Sequence, residues 1–258
     1  MAGSCRDLSN CPNCALPKPL DQGNTGACTA HAAAVAVAYM ACREGREAFV
    51  PSALWSYYHA RKRGDGISFD PNVDGGTTVE EMLSSMAKDG MVREEDLAWN
   101  SAAVSTPPSP FLVPALWVHS YRRVRARNVV EELRRGHPVC FVMNITDSMN
   151  HWANNPSATF GVVPVPADDE RVVEVHAMCA VGYNRDAAGG VIMARNSWGK
   201  DWGWYGGNML VPYALLNSHC SQFFVVDALS TSRPAASIAR PLLVAAAAAA
   251  ITAALLSQ

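Results

Sequence analysis

The residues whose types and spacing could carry chemistry are Cys28, His176 and Asn196, with Gln22 just upstream of the cysteine. Cys28 ends the stretch Gln22-Gly-Asn-Thr-Gly-Ala-Cys28, whose small residues bring backbone close to whatever sits there. The run that follows, Thr-Ala-His-Ala-Ala-Ala-Val-Ala-Val-Ala-Tyr-Met, is alanine-dominated and predicts a helix to about Glu44. A cysteine at a helix N-terminus feels the positive end of the dipole, which lowers its pKa and favours the thiolate. A thiolate nucleophile still needs a base, a group that orients the base and donors for an oxyanion. The back half offers Glu174-Val-His176-Ala-Met-Cys-Ala-Val-Gly-Tyr183, then Ala194-Arg-Asn196-Ser-Trp198-Gly-Lys-Asp-Trp202-Gly-Trp-Tyr-Gly206. A histidine on one strand and an asparagine ending the next can be neighbours in space, completing a nucleophile, a base and an orienter.

The elements that must position these residues read as two halves. In the front half, Pro51 introduces a second helix near its first turn, with Leu54, Tyr57 and Tyr58 on one face. Residues 64–76 are rich in glycine and aspartate and read as loop. Thr78-Val-Glu-Glu81 is a capping box that opens a third helix, running to about Lys88 and stopping at Gly90. Residues 101–110 are the clearest linker. Beyond it, strands are expected over 111–124, 138–145, 171–183, 190–197, 208–211 and 223–226, with a short helix from Asn128 to Arg135 ended by Gly136. A helical front and a strand-rich back suggest two lobes with a cleft between them. The expected organisation is a leader over 1–20, a catalytic domain over 21–227 (helical lobe about 21–105, β lobe about 111–227), and a linker with an apolar tail over 228–258.

The chain has 258 residues, 49% hydrophobic, and a formal net charge of −2, which is enough to build a real core and argues against a general nucleic-acid binder. Eight cysteines are present, at 5, 11, 14, 28, 42, 140, 179 and 220. The N-terminus carries no apolar secretory stretch, and Cys140 and Cys179 lie in apolar runs, so an intracellular, reducing compartment is expected. Cys11-Pro-Asn-Cys14 has the spacing of redox and zinc sites but lacks the strand-to-helix setting of the first and a fourth ligand for the second; unpaired thiols or a local disulfide are the expectation. Arg122-Arg123-Val-Arg125-Ala-Arg127 reads as a strand with one solvated charged face. Residues 241–256 are uncharged and alanine-rich. As a helix they would span roughly 24 Å, short of a bilayer core of about 30 Å, and they are taken as a marginal membrane anchor.

The three motifs together resemble the papain family of cysteine peptidases, in its shorter bacterial and viral branch. Gln-Gly-x-x-Gly-Ala-Cys, His-Ala-x-x-x-Val-Gly-Tyr and Asn-Ser-Trp-Gly-x-x-Trp-Gly-x-x-Gly are similar to its three signature segments, in order, with the histidine and asparagine about 150 and 170 residues beyond the cysteine. Pro51–Arg61, Asp74-Gly-Gly76, 88–94 and 136–139 add to the likeness, which covers roughly 20–226. The resemblance implies an α+β, papain-like two-lobe fold, with a helical N-terminal lobe, an antiparallel β-barrel-like C-terminal lobe and the active-site cleft between them. It implies Cys28 as nucleophile, His176 as base and imidazolium partner, Asn196 as orienter, Trp198 as cover for the His176–Asn196 contact, and Gln22 with the Cys28 N–H as oxyanion donors. Gly76, by its backbone, and Ala177, at the pocket wall, fall where the family contacts substrate.

The departures from that pattern are informative. The family's additional cysteine before the nucleophile is Thr25 here, and its partner before the Gly-Gly turn is Val73. The usual tryptophan after the nucleophile is Thr29, and a usual phenylalanine is His31, which weakens packing beneath Cys28. His31 could act as a second base but is read as a buried helix residue. With Gln22 so near the start, no inhibitory pro-segment is expected. The implied activity is hydrolysis of peptide or protein substrates by a monomer, without metal or cofactor. Two rivals remain at this stage: a catalytically degenerate peptide-binding relative tethered by its tail, and an enzyme for other amides such as isopeptides or peptidoglycan cross-bridges.

Overall fold

Helix α1 (Cys28–Arg43) is apolar nearly all round, and its neighbours explain why. The computed structural model describes residues 5–8, 14–187, 189–204, 206–234 and 238–240. In it α1 packs against α2 (Ala53–Asp65) and α3 (Val79–Lys88), and also against three sheet strands: β3 (Val139–Thr146), β4 (Val172–Asn184) and β7 (Cys220–Ser230). A helix buried on every side needs small residues wherever a neighbour comes close. Ala30, Ala32, Ala33, Ala34, Ala36, Ala38 and Ala41 meet that need, all of them buried.

The other strands are β1 (Cys5–Asp7), β2 (Trp117–Arg123), β5 (Val191–Arg195), β6 (Asn208–Pro212) and β8 (Ile238–Arg240). Among the described residues the order is β6-β5-β4-β3-β7-β2-β8, antiparallel except for β8 beside β2, with β1 on β4. Register shifts interrupt the pairings of β2, β3, β4 and β7, which bends and twists the sheet towards a barrel-like lobe. Both faces are covered. Along β4, Ala177, Cys179 and Val181 enter the core shared with α1, α2 and α3. Met178, Ala180 and Tyr183 enter a second core. That core is closed by α4 (Val129–Arg134), α5 (Asp147–Ala153) and α6 (Tyr213–Ser218). Burial on both faces is why these strands read as continuous apolar runs rather than as alternating ones. The result is the α+β, two-lobe arrangement expected from the sequence.

Local chemistry sets most boundaries. Thr78 and Glu81 form the capping box at the start of α3, and the helix ends at Lys88 as expected. α2 differs in detail. Ser52 is its N-cap, accepting from the Trp55 N–H at 3.1 Å, so Pro51 lies outside the helix rather than in its first turn. The helix also runs on to Asp65, into the segment read as loop. Helices α5 and α6, each seven residues or fewer, were not foreseen; they are too short to show a helical period.

Three expectations need correction or placement. Cys14 is disulfide-bonded to Cys42 in the last turn of α1, with Cα atoms 5.5 Å apart, and is neither unpaired nor joined to Cys11. Twenty-eight residues separate the two cysteines, a closure that local spacing does not reveal. Disulfides persist in oxidising compartments, so this bond counts against the expected reducing one, while the thiols that suggested it are unpaired as expected. Cys140 and Cys179 are buried and free. The stretch read as an irregular leader supplies β1 and the buried Leu8. The apolar tail over 241–256 lies outside the described residues; among those described, no helix is long and apolar enough to cross a membrane.

The arginine cluster divides: Arg123, Arg125 and Arg127 are exposed, as a solvated edge would be, while Arg122 is drawn into an ion-pair network. Arg122 lies on β2, flanked by β7 and β8, and makes a two-bond pair with Glu132 (3.0 and 2.7 Å) as well as a bond to Asp227 at 3.0 Å. His137 Nδ1 adds a contact to Glu132 at 3.1 Å. Burial alone would raise the Glu132 carboxyl, but the His137 and Arg122 hydrogen bonds outweigh it and hold the pKa at about 2. A carboxyl depressed in the folded state stabilises the fold at pH above its unfolded value, and that stabilisation fades as pH falls towards 2. The melting temperature should therefore drop steeply from about pH 4.5 towards pH 2, a window set by the unfolded and folded values. Glu132→Gln should cost about 2 kcal/mol at neutral pH and flatten that acid limb, read by thermal unfolding across pH.

Candidate active site

The nucleophile position is set by how α1 starts. Its N-cap is Ala27, which offers no side-chain oxygen, so the first N–H groups of the helix have no side-chain cap. The backbone N–H groups of Ala177 on β4, Thr29 and Cys28 itself act on the Cys28 sulfur in the direction that favours the thiolate. Cys28 is half-buried. Burial pushes its thiol up, while the N–H groups of Ala177 and Thr29 pull it back.

His176 precedes Ala177 on β4. Its Nε2 donates to Asn196 Oδ1 at 2.7 Å. Because that oxygen only accepts, Nε2 carries the proton and Nδ1 of the neutral ring is left as the base. Asn196 sits just past β5, where its N–H bonds the Gly207 carbonyl at 2.9 Å and its Oδ1 also accepts from the Ser197 N–H at 2.8 Å. Trp198 lies over the imidazole with ring centroids 4.9 Å apart, and is itself held edge-on by Trp202 at 4.8 Å. His176 and Asn196 are accordingly buried, and burial pushes the imidazole down while the Asn196 bond and the negative charge of Glu174 pull it up. The glycines of this segment are structural: Gly203 has φ +76°, and a Cβ there would come within 2.4 Å of the Asn208 carbonyl oxygen.

Gln22 is strapped to the β lobe. Its N–H bonds the Ser197 carbonyl at 2.8 Å, and its side-chain oxygen accepts from the Ser197 hydroxyl. The amide nitrogen is thereby oriented; it donates one proton to the Thr25 carbonyl at 2.6 Å and keeps a second. The structure therefore brings together His176, Asn196 and Trp198, and ties Gln22, six residues before Cys28, to Ser197 beside Asn196.

The two substrate positions come out differently. Ala177 is buried in the α1-facing core and is among the residues lining a cavity with Asn196 and Ser197. Gly76 spends its N–H on the Tyr57 hydroxyl at 3.2 Å, which leaves its carbonyl for a substrate. Ser197, Tyr57 and Asp74 are the participants that sequence reasoning left without a role. The position of Asp74, directly before Gly75-Gly76, was the available signal for one of them.

His31 is buried and does not face the nucleophile as a base. Its Nδ1 donates to the Ala27 carbonyl at 2.9 Å, one turn back, and its ring meets Trp99 edge-on at 4.5 Å. Nε2 has no partner among the described residues. Burial drives its pKa down to about 4, so the ring is neutral at neutral pH. His31, Val35, Asn196 and Ser197 line a cavity of about 650 Å³ closed on its far side by Pro17–Leu20, in keeping with the thinner packing expected where the family carries larger side chains. No cluster of three or more His, Cys, Asp or Glu placed to hold a metal ion occurs among the described residues.

Comparison with known proteins gives one consistent result. The family model described as papain family cysteine protease matches residues 4–214. An uncharacterized peptidase C1-like protein of Acanthamoeba polyphaga mimivirus is 27% identical over 230 residues, covering 82% of this chain and 71% of its own. Among solved structures, xylellain, a cysteine protease from Xylella fastidiosa, superposes with a TM-score of 0.74 at 22% identity, over 88% of this chain and 87% of its own. The clostridial cysteine protease Cwp84 gives 0.69 at 14% identity, over 89% and 59%.

The pKa directions make a prediction. Without the imidazole, burial acts on the Cys28 thiol with only the backbone N–H groups opposing it. In His176→Ala, iodoacetamide labelling of Cys28 should rise only above the free-cysteine pKa of about 8.5. In the unaltered protein it should begin well below that value, as read by pH-resolved labelling and peptide mapping.

Proposed function

The chain belongs to the papain family of cysteine proteases, and on that premise we propose that it is an active peptidase, hydrolysing peptide bonds through a thioester on Cys28. The observation that carries this reading is the His176 Nε2 to Asn196 Oδ1 bond of 2.7 Å, next to a cysteine whose sulfur accepts the neighbouring Ala177 N–H. That bond fixes the tautomer that leaves Nδ1 for the thiol.

In the proposed cycle Nδ1 takes the thiol proton and the sulfur attacks the carbonyl carbon of the substrate. The carbonyl becomes an oxyanion, held by the Cys28 N–H at the uncapped start of α1 and by the remaining N–H of Gln22. The imidazolium then gives its proton to the leaving amine as the C–N bond breaks, and the thioester remains. Water attacks the thioester, His176 takes its proton, the C–S bond breaks, and the acid leaves with Cys28 restored. Trp198 keeps water from the His176–Asn196 bond throughout, which preserves the ring orientation in both steps. Substrates on this reading are peptides or proteins lying across the cleft.

The test uses the full chain and a mixed library of fluorogenic peptide amides. The unaltered protein should hydrolyse members of the library. Cys28→Ala should lose at least a thousandfold, as removal of a nucleophile does, and Gln22→Ala roughly a hundredfold or more, as loss of one oxyanion donor does. Acid quenching during turnover should show Cys28 carrying the acyl group by mass spectrometry. Hydrolysis that survives in Cys28→Ala, or a protein that cleaves nothing while Cys28 labels like a free thiol, would remove the peptidase reading.

A further inference from the structure

Two loops meet in front of the nucleophile, and no covalent bond joins them: the segment 22–28, which carries Gln22 and Cys28, and the turn 74–76. They approach closely at Gly26, where a Cβ would lie 2.9 Å from the Tyr57 hydroxyl and 3.1 Å from Gly76 Cα and N. Only a residue without a side chain allows this approach. Residues that close need a tie, and one carboxylate supplies it. Asp74 Oδ2 accepts from the Gly26 N–H at 2.8 Å, while Oδ1 accepts from the Tyr57 hydroxyl. The same hydroxyl accepts from the Gly76 N–H at 3.2 Å. A single chain of bonds thus runs from Gly26 through Asp74 and Tyr57 to Gly76.

The base of this chain is rigid. Tyr57 is fully buried on α2, and the Arg61 guanidinium, one turn on and also buried, lies 4.6 Å from the centre of its ring. Arg61 donates to the Val73 carbonyl at 2.7 Å, to the Pro71 carbonyl at 3.3 Å and to the Val104 carbonyl. The backbone leading into Asp74 is therefore fastened to the helix that carries Tyr57. Burial and the adjacent Asp74 raise the Tyr57 hydroxyl above its ordinary value, so it keeps the proton it donates.

We propose that Asp74 is a positioning residue: it staples the nucleophile loop to the Gly75–Gly76 turn, and through Tyr57 fixes which backbone groups of that turn face the cleft. Charge-assisted bonds of this kind are the stronger ones, and both ends lie on backbone that the proposed reaction uses. The staple stands where the family resemblance would place a disulfide between positions 25 and 73; Thr25 and Val73 are the residues immediately before Gly26 and Asp74. In its activity readout the proposal rests on the peptidase reading; its exchange readout does not.

The experiment compares the full chain with Asp74→Ala and Tyr57→Phe. Amide hydrogen exchange should speed up at least tenfold at both Gly26 and Gly76 in Asp74→Ala, but only at Gly76 in Tyr57→Phe, which keeps the Asp74–Gly26 bond. In peptide hydrolysis Asp74→Ala should lose on the order of a hundredfold in kcat/KM, the scale of a small misplacement at a reacting centre. Adding Thr25→Cys and Val73→Cys to Asp74→Ala should restore at least tenfold of that loss when the two cysteines are oxidised to a disulfide, and reduction should abolish the gain. Loss of activity on reduction is opposite to the usual response of a thiol enzyme, and Asp74→Ala without the added cysteines, reduced in parallel, separates it from any effect of opening the Cys14–Cys42 bond. Unchanged exchange at Gly26 in Asp74→Ala, failure of the new cysteines to pair, or pairing without recovery would each overturn the staple. If the unaltered protein hydrolyses nothing, the peptidase reading fails, and the exchange pattern alone still decides the staple.

Discussion

Helix α1 begins without a side-chain cap, and the site depends on that omission. An N-terminal Ser, Thr, Asp or Asn is worth about 1 kcal/mol to a helix because it satisfies orphan N–H groups. Here Ala27 stands in that position, and the N–H groups of Cys28 and Thr29 lower the thiol pKa against its burial. An uncapped helix end must then be held by its surroundings. Three contacts do this: Gln22 bonds Ser197 twice, Gly26 bonds Asp74, and the Ala177 N–H reaches the sulfur from β4. The rest of α1 is fixed by burial between helices and sheet, so its first turn has little freedom to move relative to either lobe.

Two buried histidines show how partners decide function. His176 and His31 are both enclosed, and burial pushes both imidazoles down. Their hydrogen bonds give them opposite tautomers. His176 donates through Nε2 to Asn196, which leaves Nδ1 bare. His31 donates through Nδ1 to the carbonyl of Ala27, meets Trp99 edge-on, and has a buried Nε2 without a partner among the described residues. The same residue type, one helical turn from Cys28 in one case and across the cleft in the other, is a structural filler here and a base there.

The sequence made the site legible because its parts are local. Each functional side chain sits in a short segment whose small residues and glycines have direct geometric causes, as at Gly26 and Gly203. The two-lobe split was legible too, since a helix buried on all sides and strands buried on both faces leave unbroken apolar runs. What escaped was non-local. The Cys14–Cys42 bond closes a long loop, β1 is three residues whose only signal is its partner β4, and Asp74 acquires its role from a contact with a residue 48 positions away. Arg122 looked solvated because its partners Glu132 and Asp227 come from elsewhere in the chain.

The ionisation of the Cys28–His176 pair follows from which groups act on one member and not on the other. Burial disfavours both charged forms: it raises the thiol and lowers the imidazole. Glu174, two residues before His176 on β4, raises both groups, and so stabilises imidazolium while opposing thiolate. For a pair that shares one proton those two effects oppose each other, and the charge of Glu174 contributes only through its difference in distance to the two groups. The backbone N–H groups of Ala177, Thr29 and Cys28 act on the sulfur alone, and the Asn196 oxygen acts on the imidazole alone. All four favour the charge-separated form. Fixed dipoles, rather than the nearby carboxylate, are therefore what this fold sets against the cost of burying either charge.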